Sequence, residues 1–175
     1  MLDDTSITIR RMINEDIDLV FHALHDQDVS KPRDYIQRCW DENTTGKRIT
    51  LVALHNDSFA GWLHLLSESN YPYFMEQGIP EINNFDVMPS LRRQGIGSAL
   101  MDTIEQIAFE RYDVIGIGVG LYPYYGNAQR LYVKRGYVPD ERGIFYDNVQ
   151  VVPGSLVRAD DDLVLFLTKD KQVDL

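Results

Sequence analysis

The chain has 175 residues and a formal net charge of −10, and its 44% hydrophobic and 25% charged residues are ordinary globular proportions. That length fits one domain, expected over residues 1–175, and the acidic balance argues against nucleic acid as a partner. No run approaches the ~20 apolar residues that span a bilayer, and the opening MLDDTSITIR lacks the basic and then apolar blocks of a signal peptide, so a cytoplasmic protein with no membrane partner is expected.

Ile7, Ile9 and Met12 read as a first strand and its exit, and Ile13, Ile17, Val20, Phe21 and Leu24 then recur at helical spacing. A second helix is expected from about Ser30, which can cap it, with Pro32 in its first turn and Tyr35, Ile36, Cys39 and Trp40 inward, until Thr44-Thr45-Gly46 breaks it. Cys39, the single cysteine, cannot close an internal disulfide and reads as a buried thiol. Residues 49–55 and 59–65 form an expected hairpin around Asn56-Asp57-Ser58. The tyrosine- and proline-rich stretch 69–80 reads as a loop, either beside a site or as plain surface covering.

Residues 82–87 are an expected strand stopped by Pro89, and Ile96, Leu100, Ile104, Ile107 and Ala108 share one face of the next helix. A strand over 114–121 follows, then a short helix over 127–135 stopped by Gly136, and a strand around Tyr137 and Val138. Residues 145–152 and 163–167 are two further β runs, separated by a polar turn that contains Asp160, Asp161 and Asp162.

The run from Val87 to Ser98 ends a strand, turns and opens an amphipathic helix. A helix start presents unsatisfied N–H groups and the positive end of a dipole, so a pyrophosphate is stabilised there by geometry and by field. Gly95 and Gly97 lack side chains that would block its approach, and Arg92 and Arg93 add charge to an otherwise acidic chain, as do Arg130, Lys134 and Arg135 further on. A P-loop would need Gly-Lys-Ser/Thr, which is absent, and the dinucleotide fingerprint would need Gly or Ala where Leu100 stands.

This run, Arg92-Arg93-Gln94-Gly95-Ile96-Gly97 after Val87-Met88-Pro89, resembles the central motif of the GNAT superfamily of N-acetyltransferases, Arg/Gln-x-x-Gly-x-Gly/Ala after Val-x-Pro. Ala128-Gln-Arg-Leu131-Tyr132-Val-Lys134-Arg-Gly136-Tyr137 is similar to a second motif of that family, and the two lie in the expected order. The resemblance implies a mixed α+β fold, a mostly antiparallel central sheet of about six to seven strands flanked by about four helices. It implies acetyl-CoA as co-substrate, held by Phe85, Val87, Arg92, Arg93, Gln94, Gly95, Ile96, Gly97, Ser98, Asn127 and Tyr132, with no metal. One position departs from the family: Tyr125 stands where many members carry an asparagine, and Asn127 follows it from the helix start.

The resemblance also implies direct attack of an amine on the thioester in a ternary complex, without an acyl-enzyme. Tyr132 takes the place of the phenol that faces the thioester sulfur; an unperturbed phenol stays protonated at neutral pH and can donate to it. A packed aromatic is the alternative. Glu81 matches a glutamate that takes the amine proton through water in some members, the alternative being a surface carboxylate at a strand start. Asp86 lies on the same strand, on a face that depends on any bulge. The histidines offer no complete ligand set. The expected acceptor is a small-molecule or protein amine, cationic when free, and a homodimer is compatible with the sequence. A non-catalytic acyl-CoA-binding module and a longer acyl-CoA are the competing readings.

Overall fold

The computed structural model describes residues 6–26 and 31–172. In chain order the elements are β1 (Ile7–Arg11), α1 (Asp16–His25), α2 (Arg33–Thr44), β2 (Arg48–His55), β3 (Ser58–Leu66), α3 (Pro72–Gln77), β4 (Glu81–Val87), α4 (Ile96–Phe109), β5 (Val114–Gly120), α5 (Gly126–Lys134), β6 (Val138–Tyr146), β7 (Val149–Gln150) and β8 (Leu163–Asp170). Short 3₁₀ turns at Pro89–Leu91 and Pro123–Tyr125 precede α4 and α5. The strands follow the order β1-β2-β3-β4-β5-β8-β6-β7 in one sheet, with β4 and β5 parallel, so the mixed, mostly antiparallel architecture is as expected, while the eight strands and five helices among the described residues exceed the expected six to seven and about four.

Backbone contacts divide the chain into two compact units, Met1–Ser67 with Asn83–Ala108, and Glu68–Ile82 with Phe109–Leu175. In the first, Asn56 and Asp57 both adopt positive φ, 49° and 62°, the backbone of the tight turn that joins β2 to β3. Its core gathers Ile17, Val20, Leu24, Ile36, Cys39 and Trp62. Ile13 is exposed and precedes α1, contrary to the expected helix face; the Asp16 carboxylate instead receives the Ile13 N–H at 2.8 Å and ends the strand exit there. The expected cap at Ser30 lies outside the described residues, and α2 starts at Arg33 after Pro32. On α4, Ile96, Leu100, Ile104 and Ala108 are buried as the spacing requires, while Ile107 is half-buried.

The second unit has an aromatic core. Tyr71 and Phe166 stack with centroids 3.7 Å apart, and Phe74 and Phe145 meet Tyr71 edge-on at 4.8 and 4.7 Å. Gly116 makes room for this cluster, since a Cβ there would lie 2.1 Å from the Phe74 ring. The stretch expected as a loop thus contains a helix, α3, opened by Pro72 at its start and closed by Gly78 at φ 64°. The expected β run 145–152 is also corrected: Asp147 and Asn148, at φ 48° and 61°, fold it into the β6–β7 hairpin. The strand expected around Tyr137 and Val138 continues to Tyr146, with its register irregular between Pro139 and Ile144.

Candidate active site

In the first unit, Pro89 cannot donate to a sheet ladder and turns the chain out of β4; the Leu91 N–H bonds the Met88 carbonyl at 2.9 Å. Arg93 and Gly95 then take positive φ, 61° and 85°, and the α4 ladder opens with the Ala99 N–H on the Gly95 carbonyl at 3.0 Å. The N–H groups ahead of Ala99 have no acceptor one turn back inside that helix, which leaves the donor array an anion needs. Arg92, Arg93, Gln94, Gly95 and Ser98 are exposed around it. Arg92 Nε donates to the Val87 carbonyl at 3.2 Å and Gln94 Nε2 to the Ser90 carbonyl at 3.4 Å, so both side chains are tied back onto the turn.

The two glycines serve different ends. No atom lies within 4 Å of where a Cβ of Gly95 would be, so that position combines left-handed backbone with open approach. A Cβ on Gly97 would come within 3.0 Å of the Phe85 ring and 3.6 Å of Val87 Cγ2. Gly97 therefore lets α4 pack on β4, and it brings Phe85, Val87 and the helix start together. Asn84 interrupts the alternation of β4 with φ 48°, and its amide donates to the Tyr35 hydroxyl while Lys31 Nζ donates to its carbonyl oxygen at 3.2 Å. Beyond it the Asp86 carboxylate accepts the Trp62 indole N–H at 3.1 Å.

In the second unit, Glu81 opens β4 opposite Gly116 and is only 7% exposed, which overturns the surface-carboxylate alternative. The Ser69 hydroxyl donates to Glu81 Oε2 and accepts the Tyr71 N–H at 2.9 Å, so one carboxylate oxygen is fixed by the loop ahead of α3. Tyr132 is 4% exposed on α5, its ring 6.0 Å from that of Tyr137, and its carbonyl receives the Tyr137 N–H at 3.0 Å. Asn127 is exposed in the first turn of α5. Tyr125, at the departing position, lies against Gly120, where a Cβ would meet its ring at 2.3 Å.

Two arrangements were not legible in the spacing. The Tyr122 and Tyr125 hydroxyls both donate to Asp161 Oδ1, and Tyr146 donates to Asp160 Oδ2 at 3.0 Å, so the acidic turn is an acceptor for phenols. The hydrogen bond to Asp161 raises the Tyr122 pKa, and burial, with the same partner, raises that of Tyr125. The other is a set of polar side chains between α2 and the β2–β3 hairpin, including Arg48, Thr50 and His64, all buried. Among the described residues no three metal-ligating side chains are grouped, and no helix is long and apolar enough to cross a membrane.

The Acetyltransferase (GNAT) family model matches residues 13–137. Among solved structures, an N-acetyltransferase from Staphylococcus aureus Mu50 is 19% identical, with 95% of this chain and 99% of that chain covered at a TM-score of 0.70. A ribosomal-protein-alanine N-acetyltransferase from Brucella melitensis is 17% identical over 94% of this chain and 99% of its own, at 0.68. An aminoglycoside 6'-acetyltransferase type Ii is 17% identical over 93% and 96%, at 0.65. At these identities the likeness is one of fold. Among curated proteins none matches the chain.

Proposed function

The chain belongs to the acetyltransferase (GNAT) family and is an acyltransferase, and from that premise we propose that it moves an acetyl group from acetyl-CoA to an amine of a small molecule or protein by direct attack, residues 1–175 acting as one cytoplasmic domain. The observation that carries the reading is the turn after β4, with Arg93 and Gly95 left-handed and exposed cations at the start of α4. That start suits a pyrophosphate by backbone geometry, dipole and charge together. Arg92, Arg93, Gln94, Gly95, Ile96, Gly97 and Ser98 would hold the phosphates, with Phe85, Val87 and Asn127 along the remainder of the cofactor.

When bound, acetyl-CoA supplies an activated thioester whose C–S bond breaks as the amine nitrogen bonds to the carbonyl carbon. The protein's share is positioning and electrostatics. The buried Tyr132 donates its hydroxyl hydrogen bond to the departing sulfur; a reference thiol is more acidic than a phenol, so stabilisation outweighs full proton transfer. Glu81 takes the amine proton through water, its carboxylate oriented by Ser69. The acceptor is protonated when free, so this step precedes attack. The solved relatives differ in the acceptors their names give, a ribosomal-protein alanine and an aminoglycoside, which supports a common cofactor end and a separate acceptor end.

The test is CoA release from acetyl-CoA over a panel of amines, with Tyr132→Phe beside the wild type. Tyr132→Phe keeps the buried ring, so kcat is expected to fall by about 10²-fold with acetyl-CoA affinity retained. Wild-type turnover in that variant would return Tyr132 to the core. Acetyl-CoA binding without CoA release for any amine would favour the non-catalytic module.

A further inference from the structure

Between Pro139 and Ile144 the pairing of β6 with β8 slips: Pro139 stands opposite Leu167 and Ile144 opposite Leu165, so Asp140, Glu141, Arg142 and Gly143 all face Phe166. Glu141 and Gly143 take left-handed backbone there, at φ 66° and 78°. That backbone is unfavourable for a glutamate, and a bulge of this kind re-aims side chains that a regular strand would alternate between two faces. Here it brings two residues onto the segment ahead of Glu81. Asp140 Oδ2 accepts the Tyr71 hydroxyl hydrogen bond at 2.6 Å, and Arg142 Cζ lies 3.5 Å from the centroid of the Tyr73 ring.

Two small turns are joined at Tyr71. Asp140 Oδ1 accepts the Arg142 N–H at 3.0 Å, which fixes the carboxylate within the bulge and turns Oδ2 to Tyr71. On the other side, Ser69 Oγ accepts the Tyr71 N–H at 2.9 Å. A backbone N–H only donates, so this bond leaves the Ser69 hydrogen for Glu81 Oε2, to which it is given. The series Glu81, Ser69, Tyr71, Asp140 is continuous and lies wholly in the second unit, and its first three members are 7%, 2% and 0% exposed.

The Tyr71 ring carries a displacement from one end of this series to the other. Phe166 lies parallel to it, at an interplanar angle of 1°, and Phe74 and Phe145 close on it edge-on. These contacts resist tilting, whereas a stacked ring slides in its own plane at little cost. The hydroxyl and Cβ lie at opposite ends of the ring along such a slide. The Asp140 bond therefore sets where the ring stands, and with it the Tyr71 N–H that holds Ser69. Without Asp140 the phenol of a fully buried tyrosine would be an unsatisfied donor, and the ring would move to find an acceptor.

We propose that Asp140 is a positioning residue for Glu81, acting through the Tyr71 hydroxyl and Ser69 to hold the Glu81 carboxylate in one orientation, and that the β6 bulge serves to place it. The orientation of the carboxylate is independent of the reaction; its consequence for turnover rests on the reading of Glu81 as the base.

Carbon-13 labelling of the glutamate carboxyl groups allows Glu81 to be titrated by NMR, its signal being the one absent from Glu81→Gln. Ser69→Ala removes a donor to the ionised carboxylate, so the Glu81 midpoint is expected to rise by about half a pH unit or more. Asp140→Ala should move it in the same direction, although removal of a negative charge would by itself lower it. Asp140→Asn loses the same charge but keeps an oxygen for Tyr71, and no rise is expected. Tyr71→Phe breaks the bond with no change of charge and should reproduce the rise, which also covers the case in which Asp140→Ala does not fold. A midpoint that fails to rise in Tyr71→Phe, or that responds alike in Asp140→Ala and Asp140→Asn, would overturn the positioning role. In turnover, kcat is expected to fall about threefold or more in Asp140→Ala with the KM for acetyl-CoA unchanged, to be retained in Asp140→Asn, and to fall no further when Asp140→Ala is added to Glu81→Gln. An equal loss in the Glu81→Gln background would mean that Asp140 acts on the fold at large and not on Glu81. Wild-type kcat in Glu81→Gln would instead remove Glu81 as the base, while the titration still decides whether Asp140 orients it.

Discussion

The two segments that flank β4 in the chain differ in where they put their side chains. Ahead of the strand, residues 69–78 bury Tyr71 and Phe74 completely and bring Ser69 to Glu81. After it, residues 90–98 leave Arg92, Arg93 and Gln94 exposed and hold their shape with Pro89, Gly95 and backbone contacts. The first segment is fixed by packing and the second by local conformation. Packing couples a residue to stability, whereas an exposed turn is free to spend its polar groups on a ligand.

Phe74→Ala should separate them most strongly. It removes a fully buried ring that fills the space over Gly116, so about 3–5 kcal/mol of stability is expected to be lost, read as a fall in the urea midpoint with an unchanged slope. A loss near zero would mean that the aromatic cluster is slack. Tyr71 gives a smaller and pH-dependent effect in the same segment. Burial, together with its 2.6 Å hydrogen bond to Asp140, raises the Tyr71 pKa above its usual 10. The neutral phenol is therefore favoured by the folded state: its contribution is complete below pH about 10 and is lost as pH rises beyond it, where the unfolded chain sheds the proton first. Tyr71→Phe should show a shallower alkaline loss of stability between pH 9 and about 11 than the wild type. Identical slopes would show that Tyr71 does not govern that range.

The same contrast explains what the sequence disclosed. The turn after β4 was readable because each of its devices is local: Pro89 stops a strand, Gly95 accepts left-handed backbone, and a pair of arginines announces charge. Helix α3 was missed although Pro72 and Gly78 bracket it, because six residues are too few to establish a helical period. The β6–β7 turn was missed because Asp147-Asn148 lacks the glycine that usually marks left-handed pairs. The burial of Glu81 depends on Ser69, twelve residues earlier, and the left-handed Asn84 on partners in α2 and at Lys31; no spacing along one strand reports either. The pairing of Thr50 with His64 across the hairpin is likewise a matter of register, which the alternating pattern alone left unspecified.

The central claim is that the turn after β4 holds the phosphates of acetyl-CoA, and calorimetric titration of acetyl-CoA into the wild type and into Arg92→Ala with Arg93→Ala tests it directly. Two exposed charges leave and no core contact goes with them, so affinity is expected to fall by about tenfold or more while stability stays within about 0.5 kcal/mol. Raising salt should weaken the wild type more than the double variant. Equal acetyl-CoA affinity in the two proteins at low salt would contradict the assignment and move the cofactor site elsewhere.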